Sequence, residues 1–232
     1  MTKNTCIIPI RSKSKGIKNK NIKLIAGKPL VYHACKSAID SNLFNKIIIA
    51  TDSQKYISFI KKYIKNEKVV FFLRSKKSAG EKTQSEVVLQ EVILRTCNIG
   101  KNVIFVQATS PLLSSANLIQ ALKKFKKHNY DSLFSSCKSH YFLWKKVKQK
   151  LTSINYNYKK RIMRQESKEE FIETGSFYIF KKNGFLKNKN RLFGKIGNFS
   201  IPELNSIDID NLYDFKLAKI LIKNKKYLSN NE

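Results

Sequence analysis

Short apolar runs rich in β-branched residues alternate along this chain with longer segments of helical periodicity, and that order constrains the fold more than any other feature. Thr5 to Ile10, Lys46 to Thr51, Val69 to Leu73, Asn102 to Val106 and Ser132 to Cys137 read as strands. Between them Leu30 to Ser41, Gln54 to Asn66, Glu86 to Cys97 and Ala116 to His128 carry apolar residues three and four apart, the spacing of one helix face. Strands that are apolar on both sides must be covered on both sides. The pattern therefore predicts an α/β fold, a Rossmann-like, mostly parallel sheet with helices on both faces. From His140 to Glu173 the chain is aromatic and charged without a clean period, which reads as an excursion from the sheet. Gly175 to Phe180 and Lys195 to Ile201 return to strand character, and Leu212 to Lys225 closes as an amphipathic helix. A length of 232 residues with 42% hydrophobic content fits one domain over 1–232 and no second catalytic domain.

A formal net charge of +30 points first to a polyanionic partner. The excess is lysine, spread over nearly every helix and loop beside many asparagines, whereas phosphate clamps and base readers favour the forked guanidinium of arginine. Lysine and asparagine share AT-rich codons, so coding bias accounts for the excess, and no specific nucleic-acid partner is expected. No apolar run approaches the ~20 residues of a membrane span, and no hydrophobic signal core opens the chain; the expectation is a cytoplasmic protein without a membrane association. Cys6, Cys35, Cys97 and Cys137 are widely spaced with no CxxC pair, which indicates neither a disulfide framework nor a zinc site.

The loop from Arg11 to Asn21 carries the densest chemical signal. Ligands of open α/β sheets bind at the carboxyl ends of strands, and small residues such as Ser12, Ser14 and Gly16 let backbone N–H groups approach phosphate oxygens. Arg11, Lys15 and Lys20 add the positive charge that a leaving pyrophosphate demands. There is no GxxxxGK[ST], so this is not a Walker loop. A solvated lysine-rich loop is the plainer alternative in so basic a chain. Asp208 and Asp210 are the metal candidates: two residues apart in extended backbone they share a face, with Ile207 and Ile209 turned toward the core. Paired carboxylates repel unless a cation lies between them, and Mg²⁺ takes a couple of carboxylates together with phosphate oxygens and water. The alternative is an edge strand with solvated carboxylates. Asp52 reads as a cap for the helix at Gln54, and Thr109 to Pro111 as a strand-to-helix turn.

In their order these blocks resemble the cytidylyltransferases that make CMP-activated 3-deoxy sugar acids, the CMP-N-acylneuraminate synthetases in particular. Ile7 to Asn21 is similar to the signature I-I-P-A-R-S-G-S-K-G-I-x-x-K-N, with Ile10 in place of Ala and Lys13 in place of Gly. Ala50 to Ser53 resembles S-T-D-S, Phe72 to Arg74 matches F-L-R, and Gln107 to Leu112 resembles Q-P-T-S-P-L, followed by Leu113 where an Arg is common. Gly80 to Gln84 departs from the usual D-T-A-S. Phe142 to Trp144, Arg164 with Gln165, and Glu173 to Tyr178 are similar to F-x-W, R-P-R-R-Q and E-N-G-S-F-Y, with Thr174 for Asn. Ser206 to Asp210 matches S-I-D-I-D; Asp214 and Ala218 match the family's subsequent D-x-x-x-A-E, with Lys219 in place of the Glu.

The resemblance implies a nucleotidyltransferase-type fold and transfer of CMP from CTP to an acidic nine-carbon sugar, with release of pyrophosphate. It implies Arg11, Lys15, Lys20 and Asp210 as catalytic groups, and Arg11, Ser14, Lys15, Gly16, Asn21, Arg74 and Ser85 as nucleotide contacts. Gln107, Arg164 and Thr174 would bind the sugar, Arg164 at its carboxylate, and Asp208 and Asp210 would hold Mg²⁺. It further implies a homodimer exchanging contacts through the excursion at about residues 140–175, and leaves no room for an appended phosphatase domain. His33, His128 and His140 match no catalytic position. Two other readings stand beside this one: the same chemistry on a diamino nonulosonate or an octulosonate, and a lapsed homologue acting as a basic nucleic-acid-binding or scaffold protein.

Overall fold

In the computed structural model, which describes residues 3–14, 16–80, 83–161, 163 and 169–224, the apolar runs form a seven-stranded sheet. From edge to edge its strands are β11 (Ile196–Ser200), β7 (Ser132–Ser139), β10 (Glu170–Lys181), β6 (Asn102–Val106), β1 (Asn4–Ile10), β4 (Lys46–Thr51) and β5 (Val69–Leu73). Neighbours are parallel except around β10, which runs antiparallel to both β6 and β7. The expected mostly parallel sheet is thus present, with one reversed strand, β10, third from the β11 edge.

Period-two alternation sorts the strand residues onto two layers. Cys6 and Ile8 of β1, Ile47 and Ile49 of β4, Ile104 and Val106 of β6, and Phe177 and Ile179 of β10 pack on one face. That face is covered by α1 (Leu30–Asp40), α2 (Gln54–Lys61) and α4 (Ser115–Lys127). Ile7, Ile48, Val103, Phe105, Tyr178 and Phe180 turn to the other face, covered by α3 (Ser85–Arg95) and α5 (Lys182–Asn188). Each such fully buried Ile or Phe contributes about 1.5–3 kcal/mol of transfer free energy. A third cluster joins Ile17, Ile25, Leu30 and Ile209 to Phe215 and Ala218 of α6 (Leu212–Lys223), and thereby docks the C-terminal helix under the first loop.

Two small hairpins lie outside the main sheet: β2 (Leu24–Ile25) with β3 (Lys28–Pro29), and β8 (Trp144–Val147) with β9 (Lys150–Ser153). The second belongs to the expected excursion, which is shorter than the sequence indicates because Glu170 to Glu173 already pair with β7. Phe142 packs on Tyr156 with ring centroids 4.3 Å apart, and the Arg161 guanidinium lies 4.4 Å over Phe142. Leu143, Trp144, Leu151, Ile154 and Tyr158 remain exposed. Helix α2 stops at Lys61, short of the expected Asn66, although Ile64 still donates its N–H to Ile60 and stays buried.

Candidate active site

A cleft of about 300 Å³ opens at the carboxyl ends of β1 and β6. Arg11, Ser14, Lys20 and Asn21 line it from the first loop, Arg74 from the end of β5, Ser85 from the start of α3, Gln107 from the end of β6, and Asp210 from the segment ahead of α6. Eight of the residues read from the sequence as site residues thus share one cavity. Gly16 meets the cleft differently: a Cβ there would stand 2.5 Å from the carbonyl oxygen of Asp210, so only glycine lets the loop lie this close. Thr174 is not among the lining residues. Its hydroxyl turns to β7, 2.8 Å from Ser135 Oγ, where it helps fix the bulge that carries Gly175 toward Gln107. Lys15 and Arg164 lie outside the described residues.

The first loop is held by side chains remote in sequence. Ser12 donates its backbone N–H to Asp52 Oδ1 at 2.8 Å and its hydroxyl to Oδ2 at 2.9 Å. The Tyr56 hydroxyl lies 3.1 Å from both the Ser12 carbonyl oxygen and Asn19 Oδ1, and Asn21 donates to the Arg11 carbonyl at 2.9 Å. Asp52 is therefore not the cap of α2. Ser53 fills that position, its hydroxyl accepting from the Tyr56 N–H.

Lys20 Nζ donates to the Ile209 carbonyl at 2.5 Å and stands 3.4 Å from Asp210 Oδ1. Ile209 is fully buried, and its N–H bonds the Thr109 carbonyl at 2.9 Å, which aligns the acidic segment beside β6. Asp214 closes a capping box with Asn211 and also accepts the Asp210 N–H at 2.8 Å, so it fixes backbone rather than facing the cleft. Asp208 is half-buried, and its Oδ1 is enclosed without a hydrogen-bond partner. Burial pushes its pKa above the ordinary aspartate value; the nearby Thr109 hydroxyl and the charge of Lys20 oppose this, while Asp210 and Asp214 reinforce it. Arg74 is deeply buried, its side chain only 6% exposed, and its Nε has no partner.

Thr83, Val88 and Phe105 also line the cleft without having been read as site residues, as does Thr109, which the sequence offers only as part of a strand-to-helix turn. Thr83 belongs to the segment that departs from the resembled pattern, and Phe105 looks like any other core strand residue. Leu113, which stands where an Arg is common, is buried in the core and does not line the cleft.

A model of the family described as cytidylyltransferase matches residues 5–230. The chain is 32% identical over 237 residues to post-translational flagellin modification protein B of Campylobacter coli, covering 97% of both chains. To the pseudaminic acid cytidylyltransferase of Campylobacter jejuni it is 29% identical over 229 residues, covering 95% of this chain and 97% of that one. N-acylneuraminate cytidylyltransferase A of Danio rerio is 32% identical over 229 residues, covering 93% of this chain, which spans only 50% of that longer relative. In fold, a CMP:2-keto-3-deoxy-manno-octonic acid synthetase complexed with CTP superposes with a TM-score of 0.71 at 14% identity, covering 97% of this chain and 100% of the other. The 2-C-methyl-D-erythritol 4-phosphate cytidylyltransferase of Francisella tularensis gives 0.68 at 14% identity, covering 94% and 99%. With the family model spanning nearly its whole length, the chain belongs to the cytidylyltransferase family and is a nucleotidyltransferase.

Proposed function

We propose that this enzyme couples CTP to an acidic nine-carbon sugar, N-acylneuraminic acid or a related nonulosonic acid, giving the CMP-sugar and pyrophosphate. The observation that carries the reading is the meeting of Lys20 with the Ile209–Asp210 segment at a cleft that Arg74 also lines. Cationic loop, carboxylate pair and buried guanidinium answer the three parts of a nucleoside triphosphate reaction: phosphates, metal and base. The names of the relatives supply the sugar class.

In this reading the anomeric hydroxyl of the sugar attacks the α-phosphorus of CTP, and the bond to the leaving pyrophosphate breaks. Arg11, Lys15 and Lys20 neutralise the phosphates. Positioning and fixed charge account for most of the acceleration, as in other phosphoryl transfers. Ser14 and Asn21 shape the loop, while Arg74 and Ser85 face the nucleotide. Gln107, presented by β6 beside Gly175, faces the sugar or ribose, and Arg164 takes the sugar carboxylate.

Asp208 and Asp210 fit a hard divalent cation. A carboxylate oxygen enclosed without a donor, as Asp208 Oδ1 is, becomes costly once ionised unless a cation completes its shell. Asp208 and Asp210 are the residues that would hold such an ion, since among the described residues no group of three or more His, Cys, Asp or Glu side chains is placed to do so. When bound, Mg²⁺ supplies charge neutralisation for the triphosphate.

The exposed aromatic excursion serves as a homodimer surface. No helix among the described residues is long and apolar enough to cross a membrane, and the reading places the enzyme in the cytoplasm with its CTP. Incubation with CTP, Mg²⁺ and a panel of N-acetylneuraminic, 5,7-diamino nonulosonic and octulosonic acids, read by pyrophosphate release and product mass, tests the reading. Turnover with a nine-carbon acid is expected. Turnover with the octulosonic acid alone would overturn the sugar assignment, and none with any acid would overturn the whole.

A further inference from the structure

The first loop and the Arg74 guanidinium, which both line the cleft, meet on a single carboxylate. Asp52, at the end of β4, is only 9% exposed in its side chain. Both of its oxygens accept from Ser12, through N–H at 2.8 Å and hydroxyl at 2.9 Å, and Oδ1 also lies 3.6 Å from Arg74 Nη2. The Thr51 hydroxyl stands 3.4 Å from the same Oδ1, and Arg74 donates its backbone N–H to Thr51 at 2.8 Å. Arg74 is thus fixed in backbone and on one side of its guanidinium, while its buried Nε keeps an unspent donor and the residue lines the cleft. Burial lowers the Arg74 pKa; Asp52 and Glu91 counter this, and Arg11 adds to it. A guanidinium stays ionised even so. What Asp52 governs is therefore where that charge points.

We propose that Asp52 is a positioning residue for nucleotide selection, holding the phosphate loop and Arg74 in one register so that Arg74 meets the pyrimidine while the loop meets the phosphates. This rests on the CTP reading above. A single carboxylate is suited to the task because it offers enough lone pairs to take both Ser12 donors and a guanidinium together. An asparagine keeps one acceptor for the Ser12 N–H and can donate to the Ser12 hydroxyl, so the loop stays tethered while Arg74 loses its counter-charge.

The test is calorimetric binding of CTP and UTP, with steady-state kinetics, for Asp52→Asn in the wild-type and Arg74→Met backgrounds. Asp52→Asn should weaken CTP binding at least about tenfold and erode the preference over UTP, while the sugar KM moves by less than about twofold; with Arg74 already replaced, the loss should fall below about threefold. A folded Asp52→Asn protein that binds CTP as wild type does, or equal losses in both backgrounds, would overturn the proposal. Should Asp52→Asn fail to fold, Asp52→Glu keeps the charge but moves it by one methylene. It should show the same loss of base preference, and an unchanged preference would count against the role. A wild-type protein that binds no CTP would instead remove the reading on which the proposal rests, and the proposal with it.

Discussion

Lys20 and Asp210, 190 positions apart in the chain, approach to 3.4 Å while the same ammonium donates to the carbonyl next to that aspartate at 2.5 Å. The two halves of the contact differ in exposure. The Lys20 side chain is 14% exposed and that of Asp210 79%, so the lysine is built into the wall and the carboxylate is open to meet a ligand.

Replacing the two residues should therefore have different consequences. Asp210→Ala should abolish Mg²⁺-dependent turnover and leave thermal stability nearly unchanged. Lys20→Met should cost both, with kcat/KM down about a hundredfold or more from lost charge stabilisation. It should also lose about 1 kcal/mol of stability from the orphaned Ile209 carbonyl. Pyrophosphate release and thermal denaturation of both variants check the split.

Gly175 sits at φ +72°, and a Cβ there would stand 3.2 Å from Gln107 Nε2. Gly175→Ala should destabilise the protein by about 1 kcal/mol, the ordinary cost of a left-handed non-glycine residue. By pushing on Gln107 it should also lower kcat/KM by about tenfold, since small displacements of positioning groups are costly. Kinetics measured below the melting onset of both proteins separate the two effects.

Much of the fold was legible because its signals are local. The central strands announced themselves by short apolar runs and four of the covering helices by their own period, whereas α5 (Lys182–Asn188) carries too few apolar residues to show one. The direction of β10 was not legible, since nothing in Phe177 to Phe180 states whether its neighbours run with it. The β8–β9 hairpin turns through Lys148 and Gln149, both at positive φ, without the Asn-Gly pair that marks such turns. In the site, the first loop and the acidic pair could be read from residue type and spacing, but their contact could not. Asp52 illustrates the limit: next to Ser53 and Gln54 it looks like a helix cap, and only tertiary structure brings Ser12 and Arg74 to it.

Glu91 ties the Arg74 end of the cleft to α3, accepting from the Ser75 N–H at 2.9 Å, and also from the Ser78 hydroxyl and Arg95. Burial pushes its pKa up, but these hydrogen bonds outweigh it and hold the carboxyl below the usual glutamate value. A depressed folded-state pKa stabilises above the unfolded-state value, and that stabilisation is lost as pH falls through the folded-state value. Glu91→Gln should thus cost about 1–2 kcal/mol at neutral pH. The gap should close as the medium is acidified below about pH 4, which urea denaturation across pH measures.

The exposed Trp144, Leu151 and Tyr158 of the excursion form the surface proposed for dimerisation. Wild-type protein should run as a dimer by light scattering at micromolar concentration. Leu151→Asp, which places a charge where Leu151 is 69% exposed and makes no core contact, should weaken the dimer without unfolding the subunit.

The proposed activity requires the cleft to prefer cytidine over other bases when it activates an acidic sugar. Cytosine offers an exocyclic amine and a ring carbonyl, so a fixed donor such as Arg74 together with backbone acceptors can distinguish it, whereas uracil would set a carbonyl against an acceptor and purines would exceed the space. The most direct measurement is kcat/KM for CTP and UTP with the same nonulosonic acid and saturating Mg²⁺. A preference of at least about tenfold for CTP is predicted, which needs only about 1.4 kcal/mol of transition-state discrimination. Equal turnover of the two nucleotides would contradict the cytidine assignment, even with the sugar-activating chemistry intact.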